Sequence, residues 1–127
     1  MLRFEKFEVW HKAIEFADLI YTASRLFPSE ERFGLTSQMR RAAISVAANI
    51  AEGSARSQTD FARFIGIATG SLYEAVTQAI IAQRQGFITE NDVNRIRLAA
   101  EELSRMLSGL RVALGASTAL RPPGSPL

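Results

Sequence analysis

Cysteine is absent from this chain, which removes disulfides, thiolate metal sites and a cysteine nucleophile from consideration. Histidine occurs once, as His11, and lysine twice, as Lys6 and Lys12. A single imidazole leaves little room for acid–base or metal chemistry. Proline is confined to Pro28 and the last few residues, so nothing interrupts the middle of the chain. Uninterrupted apolar runs of the roughly 20 residues that span a bilayer are missing, and no basic-then-apolar leader opens the sequence. A soluble, cytoplasmic protein with no membrane partner is the expectation. With only two lysines among 15 cations the charge is carried by arginine, so a net charge of +2 accompanies a basic isoelectric point near 9.5.

At 127 residues the chain has the length of one domain, and a fold of that size buries roughly two-thirds of the surface its unfolded chain exposes. The patterning is helical throughout, with apolar residues in steps of three and four. A first helix is predicted from about Phe7 to Leu26 on the stripe Phe7, Trp10, Ile14, Ala17 and Tyr21, ending where Pro28 pushes Phe27 out of the helical region. A second starts at Leu35 or Thr36 and stops at Gly53, a residue suited to the left-handed position after a helix end. Ser57-Gln58-Thr59-Asp60 resembles a capping box and opens a third helix that runs to Gln85 and is closed by Gly86. Thr89-Glu90-Asn91-Asp92 opens a fourth, with Val93, Ile96, Ala100, Leu103, Leu107, Leu110 and Leu114 along one side. Short connections favour antiparallel neighbours. The fold class expected is therefore all-α: an up-down-up-down four-helix bundle over residues 1–114, followed by a disordered tail, 115–127, that lacks apolar mass.

The middle two helices carry more apolar surface than one core needs. On the second, Leu35, Met39, Ala42, Ala43, Val46 and Ile50 form a core face, yet Ile44, Ala47, Ala48 and Ala51 cover most of the rest. On the third, a core face from Phe61 to Ala79 is backed by Gly66, Gly70, Tyr73, Thr77 and Ile81. Helices that are apolar nearly all round are buried on more than one side. Bundles do tolerate scattered exposed alanines and isoleucines. The reading adopted is that Ile44, Ala47, Ala51, Gly66, Gly70, Tyr73 and Ile81 meet other copies of the chain in a symmetric homo-oligomer. Between those apolar residues runs a narrow stripe of Gln38, Arg41, Ser45, Asn49 and Glu52. If buried, it must be internally paired, and it is expected to be a polar network fixing helix register or subunit geometry.

Catalysis finds no support. Glu8 and His11 have the Glu-x-x-His spacing of di-metal bundles, but such a site needs two of these motifs and further carboxylates facing inward. Glu8, His11, Glu15, Asp18 and Thr22 share a side that should face water. Neither a Gly-x-Ser-x-Gly elbow nor a phosphate loop of the Gly-x-x-x-x-Gly-Lys type is present. No enzyme activity, metal or cofactor is expected. What remains is electrostatic. Arg40, Arg41, Arg56 and Arg63 fall within a stretch whose only acids are Glu52 and Asp60, and Arg56 immediately precedes a helix amino end, which attracts anions. On the fourth helix Arg95, Arg97, Arg105 and Arg111 are interspersed with Glu101 and Glu102 at pairing distance, so a solvated face is expected there.

The run Gln38-Met39-Arg40-Arg41-Ala42-Ala43-Ile44-Ser45-Val46, then Asn49-Ile50-Ala51-Glu52-Gly53, with Phe27-Pro28 and Phe33-Gly34-Leu35 before it, resembles the 23S rRNA intervening-sequence proteins. Arg56, Phe61, Phe64, Ala68 and Gly70-Ser71-Leu72-Tyr73-Glu74 continue the likeness, which covers about residues 4 to 114. The resemblance implies an antiparallel four-helix bundle assembled as a homopentameric ring, with no established catalytic activity and nucleic-acid binding as the usual proposal. Structured RNA held by phosphate contacts from Arg40, Arg56 and Arg63 is therefore the expected function. A protein-binding scaffold or adaptor, with another protein as partner and no nucleic-acid role, is the alternative.

Overall fold

The computed structural model describes residues 1–115, so the expectation of a disordered tail lies, beyond Gly115, outside the described residues. Four helices carry the chain: α1 (Glu8–Ser24), α2 (Leu35–Ser54), α3 (Gln58–Arg84) and α4 (Glu90–Ala113), with 3-10 turns at Arg3–Lys6 and Ser29–Glu31. No strand occurs among the described residues. The helix starts follow local chemistry. Ser57 Oγ accepts from the Asp60 N–H at 3.3 Å and Thr89 Oγ1 from the Asp92 N–H at 3.2 Å, each satisfying an otherwise free amide of the first turn. Gly86, at φ 79°, closes α3 in the left-handed conformation, and the Phe87 N–H then donates to the Ala82 carbonyl at 2.9 Å.

Helices adjacent in sequence pack side by side and α4 returns to α1, closing a square whose diagonal pairs make no close backbone approach. Phe16, Ile20, Met39, Ile50, Ile65, Leu72, Ile96, Leu103 and Leu107 fill the centre. The most extensive packing is between α2 and α3, whose facing residues are small: Ala42, Gly53, Ala68, Ala75 and Ala79 are all buried. By length and composition α3 also meets the requirement for crossing a membrane, contrary to the expectation that no such segment exists. In this fold, however, it is a bundle helix with Phe61, Ile65, Ala68, Leu72 and Ala75 turned into the core.

Two expectations are corrected. The core face of α1 is Val9, Ala13, Phe16, Ile20 and Ser24, not the stripe through Trp10, Ile14 and Tyr21. Ile14 is 38 % exposed, while Trp10 packs on Phe4 at 5.1 Å and Tyr21 lies under the Arg40 guanidinium at 4.5 Å, both at the margins. Two apolar stripes lie side by side on this helix, and packing between α2 and α4 selects one of them. Nor is Gly53 a left-handed cap. It sits inside α2, is buried, and a Cβ there would meet Phe64 Cβ at 2.7 Å and Phe61 Cδ1 at 2.9 Å. Its role is close approach of α2 to α3.

On the α1–α4 side, Lys12 Nζ reaches Glu102 at 3.3 Å and Glu15 at 3.7 Å. The hydrogen bond and charge of Glu102, and then the charge of Glu15, hold the Lys12 ammonium above the ordinary lysine range. Glu102 is thereby committed to α1 rather than to the arginines of its own helix.

Candidate nucleic-acid interface

The α2–α3 turn brings arginine and aromatic side chains together at one end of the bundle. Because Gly53 lets α2 end directly against Phe61 and Phe64, the three residues Ala55-Arg56-Ser57 suffice to reverse the chain. This places Arg56 about one turn before Asp60 and two turns before Arg63. The guanidiniums of Arg56 and Arg63 lie 5.3 and 4.8 Å from the centre of the same ring, Phe64. Cations over an aromatic face gain about 0.5–1 kcal/mol at exposed sites, enough to bias both toward one locus. Their carboxylate partners are local and exposed: Arg56 to Glu52 at 3.3 Å, Arg63 to Asp60 at 3.8 Å. Pairs of this kind are worth about 0–1 kcal/mol, so a phosphate can displace the carboxylate at little cost.

Behind this pair, Arg3 Nη1 donates to the Ser54 carbonyl at 2.8 Å and lies over Phe7, which stacks on Phe61 at 6.0 Å. Arg3 thus supplies a donor to one of the unsatisfied carbonyls at the end of α2.

Arg40 is not part of this locus. Sixteen residues from Arg56 along α2, it lies roughly 24 Å away along the axis. Its Nε donates to Ser24 Oγ at 2.9 Å and its guanidinium covers Tyr21, so it pins α1 to α2. The grouping of Arg40 with Arg56 and Arg63 is corrected accordingly.

The polar stripe of α2 is also rearranged. Gln38, Arg41 and Glu52 are exposed in the single chain, Ser45 and Asn49 half-buried. A short chain of bonds joins Asn49, Ser45 and Ser71: Asn49 Nδ2 donates to the Ser45 carbonyl and Oγ at 2.8 and 2.9 Å, and the two serine hydroxyls share a hydrogen bond of 2.8 Å. That link ties α2 to α3, whereas Glu52 is engaged with Arg56 and lies outside it. Gln38 and Arg41 border a shallow cavity of about 230 Å³ with Ser45, Ser71 and Glu74.

The residues expected to meet other copies separate into three groups. Ala47 is buried in the core of the chain at 7 % exposure and is unavailable to a partner. Gly66 and Tyr73 are engaged by α4: Gly66 lies under the Arg111 guanidinium, and the Tyr73 hydroxyl, on a side chain that stays exposed, shares a 3.2 Å hydrogen bond with Ser104. Ile44 and Ile81 remain 48 % and 45 % exposed, Ala51 is half-buried, and Gly70 has nothing near it. Ile67, beside Gly66 on α3, is exposed to a similar degree.

The α4 arginines were expected on a solvated face, and Arg95, Arg97 and Arg105 are exposed while Arg111 is half-buried. Among the described residues only Arg95 has an ion pair, to Asp92 at 3.9 Å, and no Glu101–Arg105 pair forms. His11 and Glu8 are exposed as expected, with His11 Nε2 against the Glu5 carbonyl at 2.6 Å.

Residues 5–109 match the family model described as 23S rRNA-intervening sequence protein. A similar crystal structure is that of a protein with unknown function from the S23 ribosomal protein family of Bacteroides thetaiotaomicron. It is 26 % identical in sequence, with a TM-score of 0.74 over 81 % of this chain and 94 % of that one. No curated protein matches the chain.

Proposed function

The chain belongs to the 23S rRNA-intervening sequence protein family, and from that premise we propose that it is a non-enzymatic, self-associating bundle that binds structured RNA through phosphate contacts from Arg56 and Arg63. The observation that supports this reading is the convergence of those two guanidiniums on Phe64, beside the amino end of α3, with exchangeable carboxylates as their only ion-pair partners among the described residues. Guanidinium forks suit phosphate, and phosphate contacts position a protein on a nucleic acid without reading its bases. Binding is therefore expected to be steeply salt-dependent and indifferent to sequence.

The test is titration of a labelled 23S rRNA fragment with the full chain at several salt concentrations. The double variant Arg56→Ala, Arg63→Ala should bind more weakly at low salt and flatten the plot of log affinity against log salt by about 1.4–1.8, at roughly 0.7–0.9 per lost phosphate contact. Absence of binding at low salt rejects the RNA reading in favour of a protein-binding scaffold. An unchanged slope in the variant puts the contacts elsewhere.

Self-association rests on the outward isoleucines of α2 and α3. Ile44, Ile67 and Ile81 together with open Gly70 leave apolar surface where a solitary bundle would carry charge. Light scattering coupled to size exclusion should find a multiple of the 14.0 kDa chain mass, and Ile44→Glu, Ile81→Glu should return it to the monomer. A wild-type monomer at working concentration sinks this part of the proposal.

A further inference from the structure

Arg111 reaches across from α4 and lays its guanidinium on the backbone of α3 at Gly66. A Cβ at position 66 would stand 3.1–3.2 Å from its Cζ and both Nη atoms, so the absence of a side chain there is what lets the planar group rest flat. Arg111 Nε is buried without a hydrogen-bond partner, and no carboxylate pairs with the group among the described residues. This cation is held by packing rather than by an acid, which fixes its position without neutralising it. Gly66 follows Arg63 by three residues, the spacing of surface neighbours on a helix. Arg111 is therefore adjacent to the Arg56–Arg63 locus, although it comes from another helix.

Beyond it the α3–α4 groove opens into a cavity of about 540 Å³. Arg97 and Arg105 line it from α4, Tyr73 and Thr77 from α3, with Glu101 as its one carboxylate among the described residues. Neither arginine is ion-paired among the described residues. Tyr73 is 58 % exposed, and its hydroxyl is tied to Ser104, which steadies the ring at the groove edge. From Arg63 to Thr77 the cationic track extends roughly 20 Å along α3.

We infer that the α3–α4 groove, through Arg97, Arg105 and Arg111, continues the Arg56–Arg63 locus into a channel for the backbone of a single RNA strand, with Tyr73 as a stacking face for a base. The inference rests on the RNA reading above and names the form of RNA that the site takes. A small phosphorylated metabolite needs one or two forks in one place. Five guanidiniums from the turn, α3 and α4, strung along a groove with an exposed aromatic ring, suit an extended polyanion with unpaired bases. Glu101 leaves the groove net positive, two guanidiniums to one carboxylate, and Arg111 adds a third cation at its end.

The experiment titrates the full chain with a labelled 20-nucleotide oligouridylate over a range of salt, with inorganic phosphate and polyglutamate as competitors. The triple variant Arg97→Ala, Arg105→Ala, Arg111→Ala should lower the salt slope by about 2, at roughly 0.7 per contact for single strands. Gly66→Ala should weaken binding less than Arg111→Ala does, because its Cβ, 3.1–3.2 Å from the guanidinium, obliges that side chain to shift by only a few tenths of an ångström at unchanged net charge. Tyr73→Leu should weaken oligouridylate without altering the slope. Thermal melts of each variant establish that the fold is retained, and Arg111→Lys, which keeps charge but loses the planar fork, should fall between wild type and Arg111→Ala. An unaltered slope in the triple variant, while Arg56→Ala, Arg63→Ala still loses rRNA binding, overturns the channel and leaves the RNA reading standing. Loss of neither overturns both. Competition by inorganic phosphate at the oligonucleotide's own affinity would reduce the channel to a single anion site, and polyglutamate outcompeting the oligonucleotide would assign the groove to an acidic protein.

Discussion

Replacing Phe16 by alanine is expected to cost about 3–5 kcal/mol of folding stability, a large part of the 5–15 kcal/mol that a domain typically has. Phe16 is 1 % exposed at the centre of the bundle, so truncation leaves a cavity that α1 cannot close without losing Ile20 and Ala13 from the core as well. The control is Ile14→Ala on the same helix. Ile14 stands 38 % exposed, and its truncation should cost less than about 1 kcal/mol, since little apolar surface is returned to water. Denaturant unfolding of the two variants measures the difference. Equal losses, or a larger loss at Ile14, would mean that α1 presents its Trp10–Ile14–Tyr21 stripe to the core.

Gly53→Ala is expected to destabilise the fold by about 1–3 kcal/mol even though alanine is the better helix former. Propensity favours the substitution by up to about 1 kcal/mol. Against that, the new methyl would lie 2.7 Å from Phe64 Cβ and 2.9 Å from Phe61 Cδ1. Phe64 Cβ is attached directly to the α3 backbone and cannot swing aside, while Phe61 is backed by Phe7. The helices must spread, which is the overpacking penalty. The consequence reaches the proposed RNA contact, because Phe64 is the ring on which Arg56 and Arg63 rest. Gly53→Ala should therefore weaken RNA binding at temperatures where the protein is still folded. A variant as stable as the parent, or more so, would contradict the close approach at this position.

The same residues show how much of the fold was legible. Ser57, Thr89 and Gly86 announce their helix ends through bonds made within a few residues, and the structure has those ends within a residue of the expected positions. The core faces of α2, α3 and α4 were also readable, since Met39, Val46, Ile50, Ile65, Leu72, Ile96 and Leu103 are buried where their period puts them. Gly53 misled because a glycine near a helix end has two uses, a left-handed turn or an absent side chain, and only the neighbouring helix distinguishes them. Arg40 misled for a similar reason: its guanidinium is committed to Tyr21 and Ser24 on another helix.

The candidate site was less legible than the fold. Arg56 and Arg63 stand close in sequence, so their proximity could be anticipated; the ring between them follows from the helical spacing of residues 63 and 64 against the turn. Arg111 could not be found this way. Its seat on Gly66 depends on the axial register of α3 against α4, and Arg97 and Arg105 stay without an ion pair among the described residues although Glu101 lies four residues from each.

From the sequence alone follow the helical class of the chain, the number and approximate limits of its helices, and the surplus of apolar residues on α2 and α3. These depend on interactions between residues three or four apart, or on caps within one turn, and are therefore written locally. The tertiary structure alone decided which of two stripes α1 buries, that Ala47 is interior, that Gly53 and Gly66 are vacant to admit a neighbour, and which arginines are left without an acid. Those outcomes depend on the rotation of each helix about its axis and its sliding against its neighbours. A period specifies neither, because several rotations bury similar apolar area and only the simultaneous packing of all four helices selects among them.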